Sequence, residues 1–217
     1  KLIKTIAATI LSTLLLSGVA MSEFNIGVSG MFGAVETEGT EHENSGGSVI
    51  TAAEKNNLTI TEMFAGGSVF AEFITDGGWG FGIDWVPVDA DLGNGTRVDT
   101  TDSGGGTGTR TASAELQDLY TIYVSKSFGD NGWYGLLGYH DATIATTETL
   151  NASVYPNADL NGYQYGIGKK SPLGNGDIRY ELSYSDFDDI SILDSTNSTN
   201  KITANADAYM FKVGISF

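Results

Sequence analysis

The chain has 217 residues, with 27 Asp and Glu against 11 Lys and Arg, a formal net charge of −16, 3 Pro and no Cys. The length suits one domain or two small ones. The acidic balance excludes a nucleic-acid partner, which requires a basic patch, and the missing Cys excludes a disulfide scaffold or thiolate metal site.

Residues 1–20 differ from the rest. Lys1 and Lys4 precede an apolar run over 6–16, "IAATILSTLLL", and Gly18 and Ala20 occupy the small-residue positions before a cleavage site. This pattern predicts a secretory signal peptide cleaved after Ala20, leaving 21–217 as the mature domain. The run falls short of the roughly 20 apolar residues that a membrane-spanning helix needs.

Beyond Ala20, period two replaces any helical period. "FNIGVSGMFGA" sets Phe24, Ile26, Val28, Phe32 and Ala34 against Asn25, Gly27, Ser29 and Gly33. "GSVFAEFIT" places Val69, Ala71 and Phe73 opposite Phe70, Glu72 and Ile74. In "WGFGIDW", Trp79, Phe81, Ile83 and Trp85 alternate with Gly80, Gly82 and Asp84. In "ELQDLYTIYVSKSF", Leu116, Tyr120, Ile122, Val124 and Phe128 oppose Glu115, Gln117, Thr121 and Ser125. "WYGLLGYHDATI" is apolar on both parities, so its faces stay undecided. "YQYGIGKK", "IRYELSYSDF" and the terminal "AYMFKVGISF" complete eight alternating stretches.

The connections between them alternate in length. Long ones are expected at about 35–62, 89–113, 146–161 and 186–206, and short ones at 76–78, 129–132 and 171–177. All long loops therefore fall at one end and all tight turns at the other, as in an outer-membrane barrel with outward loops and periplasmic turns. A sheet crossing a bilayer has to close on itself, because no water is present to satisfy a free edge. The predicted fold is all-β: a closed antiparallel up-and-down transmembrane barrel, most simply of eight strands. Ten remain open if 49–64, "VITAAEKNNLTITEMF", hides a hairpin. Trp79, Phe128 and Trp133 lie beside short turns, and Trp85, Tyr120 and Tyr184 lie six to eight residues further along; these six form two expected aromatic girdles.

Signal peptide, eight alternating strands, four long loops and the terminal Tyr209, Phe211, Val213, Ile215 and Phe217 together resemble the small outer-membrane barrels of the OmpA transmembrane, OmpX and opacity-protein type. The resemblance is one of pattern and topology over nearly all of the mature chain. It implies a bacterial outer-membrane location, export through the periplasm, and a lipid surround. It also implies that the five terminal apolar residues match the signal read by the barrel-assembly machinery. No periplasmic domain is expected after Phe217.

Eight strands enclose an interior just wide enough for side chains to fill. Inward parity assigns it Glu72, Asp84, Glu115 and Glu181 against Lys170, Arg179 and Lys212. The near balance favours a plug of mutual ion pairs over a selective pore, because a buried charge without a partner costs several kcal/mol. Inward Gly27, Gly33, Gly80, Gly82, Gly166, Gly168 and Gly214 argue the other way, as missing side chains leave room for water.

Catalytic signals are weak. Neither His42 nor His140 has a Ser at the spacing of a barrel deacylase, so a Ser-His-Asp set would have to assemble from distant segments. No cofactor and no metal site is predicted. Glu36, Glu38, Glu41, His42 and Glu43 cluster, and "DADLGNG" at 89–95 resembles half a calcium loop without its distal Glu, which leaves room for weak divalent-cation association only. The long loops are polar and poor in aromatic anchors. The expected function is non-catalytic, structural or surface-exposed, with a plugged lumen. The alternatives are a narrow pore for small solutes, and an adhesin or phage receptor acting through loops such as 44–57 and 104–109. The sequence identifies no surface ligand and no oligomeric state.

Overall fold

The strands run far past the alternating stretches that announce them. The computed structural model describes residues 21–42, 55–99, 108–149, 154–196 and 200–217. Within these lie β1 (Met21–His42), β2 (Lys55–Thr75), β3 (Trp79–Val86), β4 (Ala90–Asp99), β5 (Gly108–Phe128), β6 (Trp133–Glu148), β7 (Ala158–Leu173), β8 (Gly176–Leu193) and β9 (Lys201–Ser216). The expected signal peptide at 1–20 and most of 44–57 and 104–109 lie outside the described residues.

Much of what reads as long loop is strand. Glu36, Glu38, Glu41 and His42 belong to β1, Asp91 and Asn94 to β4, and residues 55–64 simply extend β2. Within the described residues, the candidate extra hairpin is therefore a continuation of one strand. Polar strand extensions keep their backbone groups paired across the sheet, so Thr- and Asn-rich composition does not end them.

All pairings are antiparallel, and β1 closes onto β9 from Gly27↔Ser216 to His42↔Lys201. β3 and β4 both pair with β5, at Trp79↔Lys126 to Val86↔Leu119 and at Ala90↔Leu116 to Asp99↔Gly108. They are two halves of one broken strand, so nine strands make an eight-membered ring. Pro87 causes the break: it has no N–H to give a ladder. Tight turns join the strands at the opposite end, and Gly78, Gly129, Gly132 and Gly174 there adopt φ between 62° and 76°, a region favouring Gly.

Parity follows the sequence on most strands. Tyr209 faces outward, with Phe211, Val213, Ile215 and Phe217 on the same parity, and Lys212 inward; Trp79 and Trp85 point out while Asp84 is buried. The undecided β6 turns Tyr134, Leu136, His140, Ala142 and Ile144 inward. β5 corrects the expectation. A bulge between Gln117 and Tyr120, with Asp118 at φ 54°, inverts parity above it. Leu116 therefore packs inside, whereas Glu115 is exposed and accepts a hydrogen bond from Gln117 instead of facing the lumen. Further register shifts at Asp91/Asn94 and Phe187/Ile190 lie in the same half of the barrel.

Candidate functional site

The interior has two storeys. The lower one, nearer the tight turns, contains Glu72, Asp84 and Glu181 with Lys170, Arg179 and Lys212, three formal negatives against three positives. Lys170 pairs with Glu72, and Lys212 Nζ lies 2.9 Å from Asp84 Oδ2. Arg179 Nη2 stands 3.7 Å from Asp84 and 3.8 Å from Glu181, and the Tyr134 hydroxyl donates to Glu181 at 3.0 Å. Arg179 also lies against the Phe70 ring, and its Nη1 donates to the Tyr123 hydroxyl at 3.4 Å. Six of the seven expected lumen charges thus meet, and Glu115 does not.

The inward glycines do not leave water-filled gaps. A Cβ on Gly27 would collide with the Phe70 ring, one on Gly82 with Tyr123, and one on Gly168 with Tyr134. Each of these three glycines is the seat of an aromatic ring from the neighbouring strand, while Gly80 and Gly214 are closed off by the Ser125 and Ser29 hydroxyls.

At the top of this layer His140 is 2 % exposed, with Nδ1 2.8 Å from Thr121 Oγ1 and Nε2 2.8 Å from Ser185 Oγ. Phe187 stacks on its ring at 5.2 Å. A Ser–His pair does therefore assemble from distant strands. Its outer nitrogen meets a threonine hydroxyl, where a hydrolytic triad would place a carboxylate.

The upper storey is apolar. Val35, Ala142, Ile144, Leu160, Phe187 and Ala208 form a buried cluster, flanked by Phe64, Leu92, Leu116, Leu119 and Ile190. They surround an open-mouthed cavity whose base is formed by His140, Ser185, Met31 and Met210. Sequence parity missed this chamber because the bulges on β4, β5 and β8 bring Leu92, Leu116 and Ile190 inward. The signal was present in the apolar run on both parities of β6.

One wall of the chamber is incomplete. β2 pairs with β3 only from Val69↔Trp85 to Ile74↔Gly80, and no ladder joins β2 to β4 among the described residues. Phe64, Ala65 and Gly66 line one side of this seam, and Val86, Val88, Asp89 and Ala90 the other. Further out the two strands approach again, where a Cβ on Gly93 would come within 3.5 Å of Glu62. Met63, Phe32 and Tyr209 are exposed apolar or aromatic residues on the outer face, with Ala34 directly between Met63 and Tyr209. On the β2 side the exposed Met63 borders the seam, and on the other side the seam begins directly after the girdle residue Trp85.

The six expected girdle residues all have outward parity. Trp85 stacks on Tyr120 at 6.0 Å, Tyr184 contacts Tyr209 at 5.1 Å and donates to Asp207 at 2.6 Å, and Lys126 lies over Trp79 at 5.1 Å. Lys169 sits 5.8 Å above Trp133, and Phe128 is exposed. Among the described residues no cluster of His, Asp and Glu is arranged to hold a metal ion.

No protein-family model matches the chain, and no curated relative matches its sequence. Among solved structures it is similar to the outer membrane protein OprG of Pseudomonas aeruginosa, with TM-score 0.54 and 12 % identity over 91 % of this chain and 98 % of that one. Ail, the attachment invasion locus protein of Yersinia pestis, gives 0.40 at 14 % identity over 90 % and 99 %, and neisserial surface protein A gives 0.36 at 9 % over 86 % and 95 %. Of these three only OprG exceeds 0.5, and at that identity the likeness concerns the fold. The chain has the fold of the small eight-stranded outer-membrane barrels.

Proposed function

We propose that this protein is a non-catalytic outer-membrane barrel, exported by a cleaved signal at 1–20, that conducts small apolar molecules from the outside into the bilayer. The tight turns face the periplasm, and Tyr209, Phe211, Val213, Ile215 and Phe217 serve the assembly machinery. The carrying observation is the apolar cavity set directly above an ion-paired floor and beside a wall without a ladder. A molecule entering from the mouth meets the floor and has one lateral way out, through the seam between β2 and β4. Water and ions meet the floor too, and for them to pass, buried ion pairs would have to separate at a cost of several kcal/mol. A purely structural or loop-mediated role leaves the cavity without a purpose.

The test is transfer of N-phenylnaphthylamine, an apolar fluorophore, into vesicles holding the refolded protein. Faster transfer than into protein-free vesicles is expected. A Gly66→Cys/Val88→Cys variant joined by a short bis-maleimide should lose the acceleration and regain it when the cross-linker is left out. Equal rates with and without protein would overturn the conduit. In planar bilayers the inserted protein should show no conductance steps; discrete steps would favour the narrow pore.

A further inference from the structure

The cavity walls carry hydrophobic side chains over most of their height, and the exceptions are placed unevenly. Thr37 and Asn205 lie toward the outer strand ends, and Asp89 and Asp91 flank the seam. At the base the polar groups are His140 and Ser185, and both ring nitrogens of His140 are occupied, by Thr121 and by Ser185. Ser185 is different. A hydroxyl has one donor and two acceptor sites, and the bond to His140 Nε2 uses one of the three. If that nitrogen carries the proton, Ser185 accepts from it and keeps its own O–H to donate upward. In the other tautomer Ser185 donates to the ring and keeps its lone pairs. The floor can therefore offer a donor or an acceptor, but through a single neutral oxygen.

We propose that the cavity selects uncharged molecules with an apolar body and one terminal hydrogen-bonding group, such as a medium-chain alcohol, docked on Ser185. The inference rests on the conduit reading and adds the chemical class of its cargo. A wholly apolar molecule fills the chamber but gives Ser185 no partner beyond His140. A charged head group seated at the base loses its hydration and meets a neutral hydroxyl. The charges of the floor below, Lys212 and Asp84, already hold one another at 2.9 Å, and Asp89 and Asp91 stand at the seam and not at the base. Desolvating an ion without a counter-ion is the costlier of the two mismatches.

Equilibrium binding of decane, 1-decanol, decanoate and decylammonium to the refolded protein in phosphatidylcholine nanodiscs, corrected for partition into protein-free discs, tests this. A buried neutral hydrogen bond predicts decanol binding roughly 3- to 10-fold tighter than decane, with both ions weakest. Ser185→Ala should erase the decanol advantage and leave decane unchanged, and Ser185→Thr should restore it. Equal binding of decane and decanol, a decanol advantage that survives Ser185→Ala, or tightest binding by either ion would overturn the selectivity and leave the conduit standing. No binding of any of the four above protein-free discs would overturn both.

Discussion

The guanidinium carbon of Arg179 lies 3.7 Å from the centroid of the Phe70 ring, and the same side chain reaches toward Asp84 and Glu181. One cation thus serves two carboxylates while covering an aromatic face. Arg suits this position better than Lys because its flat, weakly hydrated head can stack and pair at once.

Removing that cation should be expensive. Arg179→Met leaves Glu181 facing Tyr134 alone and Asp84 dependent on Lys212, and a broken buried pair of this kind costs about 3–5 kcal/mol. Urea unfolding in lipid vesicles should show that loss. Adding Glu181→Gln to Arg179→Met should recover a large part of it, since the orphaned charge is then gone.

The glycine seats should behave as half of a pair. Gly82→Ala forces a methyl into the Tyr123 ring, so it should destabilise the barrel by about 1–3 kcal/mol, as overpacking does. With Tyr123→Ala already present, the same change should cost little. A double-mutant cycle in vesicles reads the coupling; additive effects would mean that the ring does not need its seat.

Glu36, Asp207 and Asp186 are directly opposite one another across β1, β9 and β8 on the outer face. Like charges so placed repel, so Asp186→Asn should stabilise the folded barrel by about 0.2–1 kcal/mol. The gain should shrink as NaCl is raised, because the pair is exposed and screened. Unfolding midpoints at low and high salt check both statements.

Quenching by lipids brominated at defined acyl positions should report two depths of tryptophan. Single-Trp variants retaining Trp79 or Trp133 should respond like residues near one interface, and the variant retaining Trp85 like a residue deeper in or nearer the other. Identical profiles for all three would count against two girdles.

Wherever strands alternate without interruption, the sequence was a sufficient guide. Trp79 to Trp85 and Tyr209 to Phe217 take the faces their parity assigns, and the charges on those strands meet in the lumen. Legibility failed at bulges. One extra residue at Asp118 sends Glu115 outward and Leu116 inward, and period two carries no mark of the insertion. Gly27, Gly82 and Gly168 were legible as inward but not as occupied, since the ring that fills each comes from a different strand. Loop boundaries were missed because ladder bonds hold polar strands together as well as apolar ones.

The three acids and three bases of the floor sum to zero, and this matters beyond packing. A potential across a membrane, worth about 2.3 kcal/mol per elementary charge per 100 mV, exerts a net force on a rigid group of charges only through their sum. A neutral floor experiences no net push from such a field in either direction. Glu181→Gln would give it one unit of positive charge, on which a potential of either polarity would then pull.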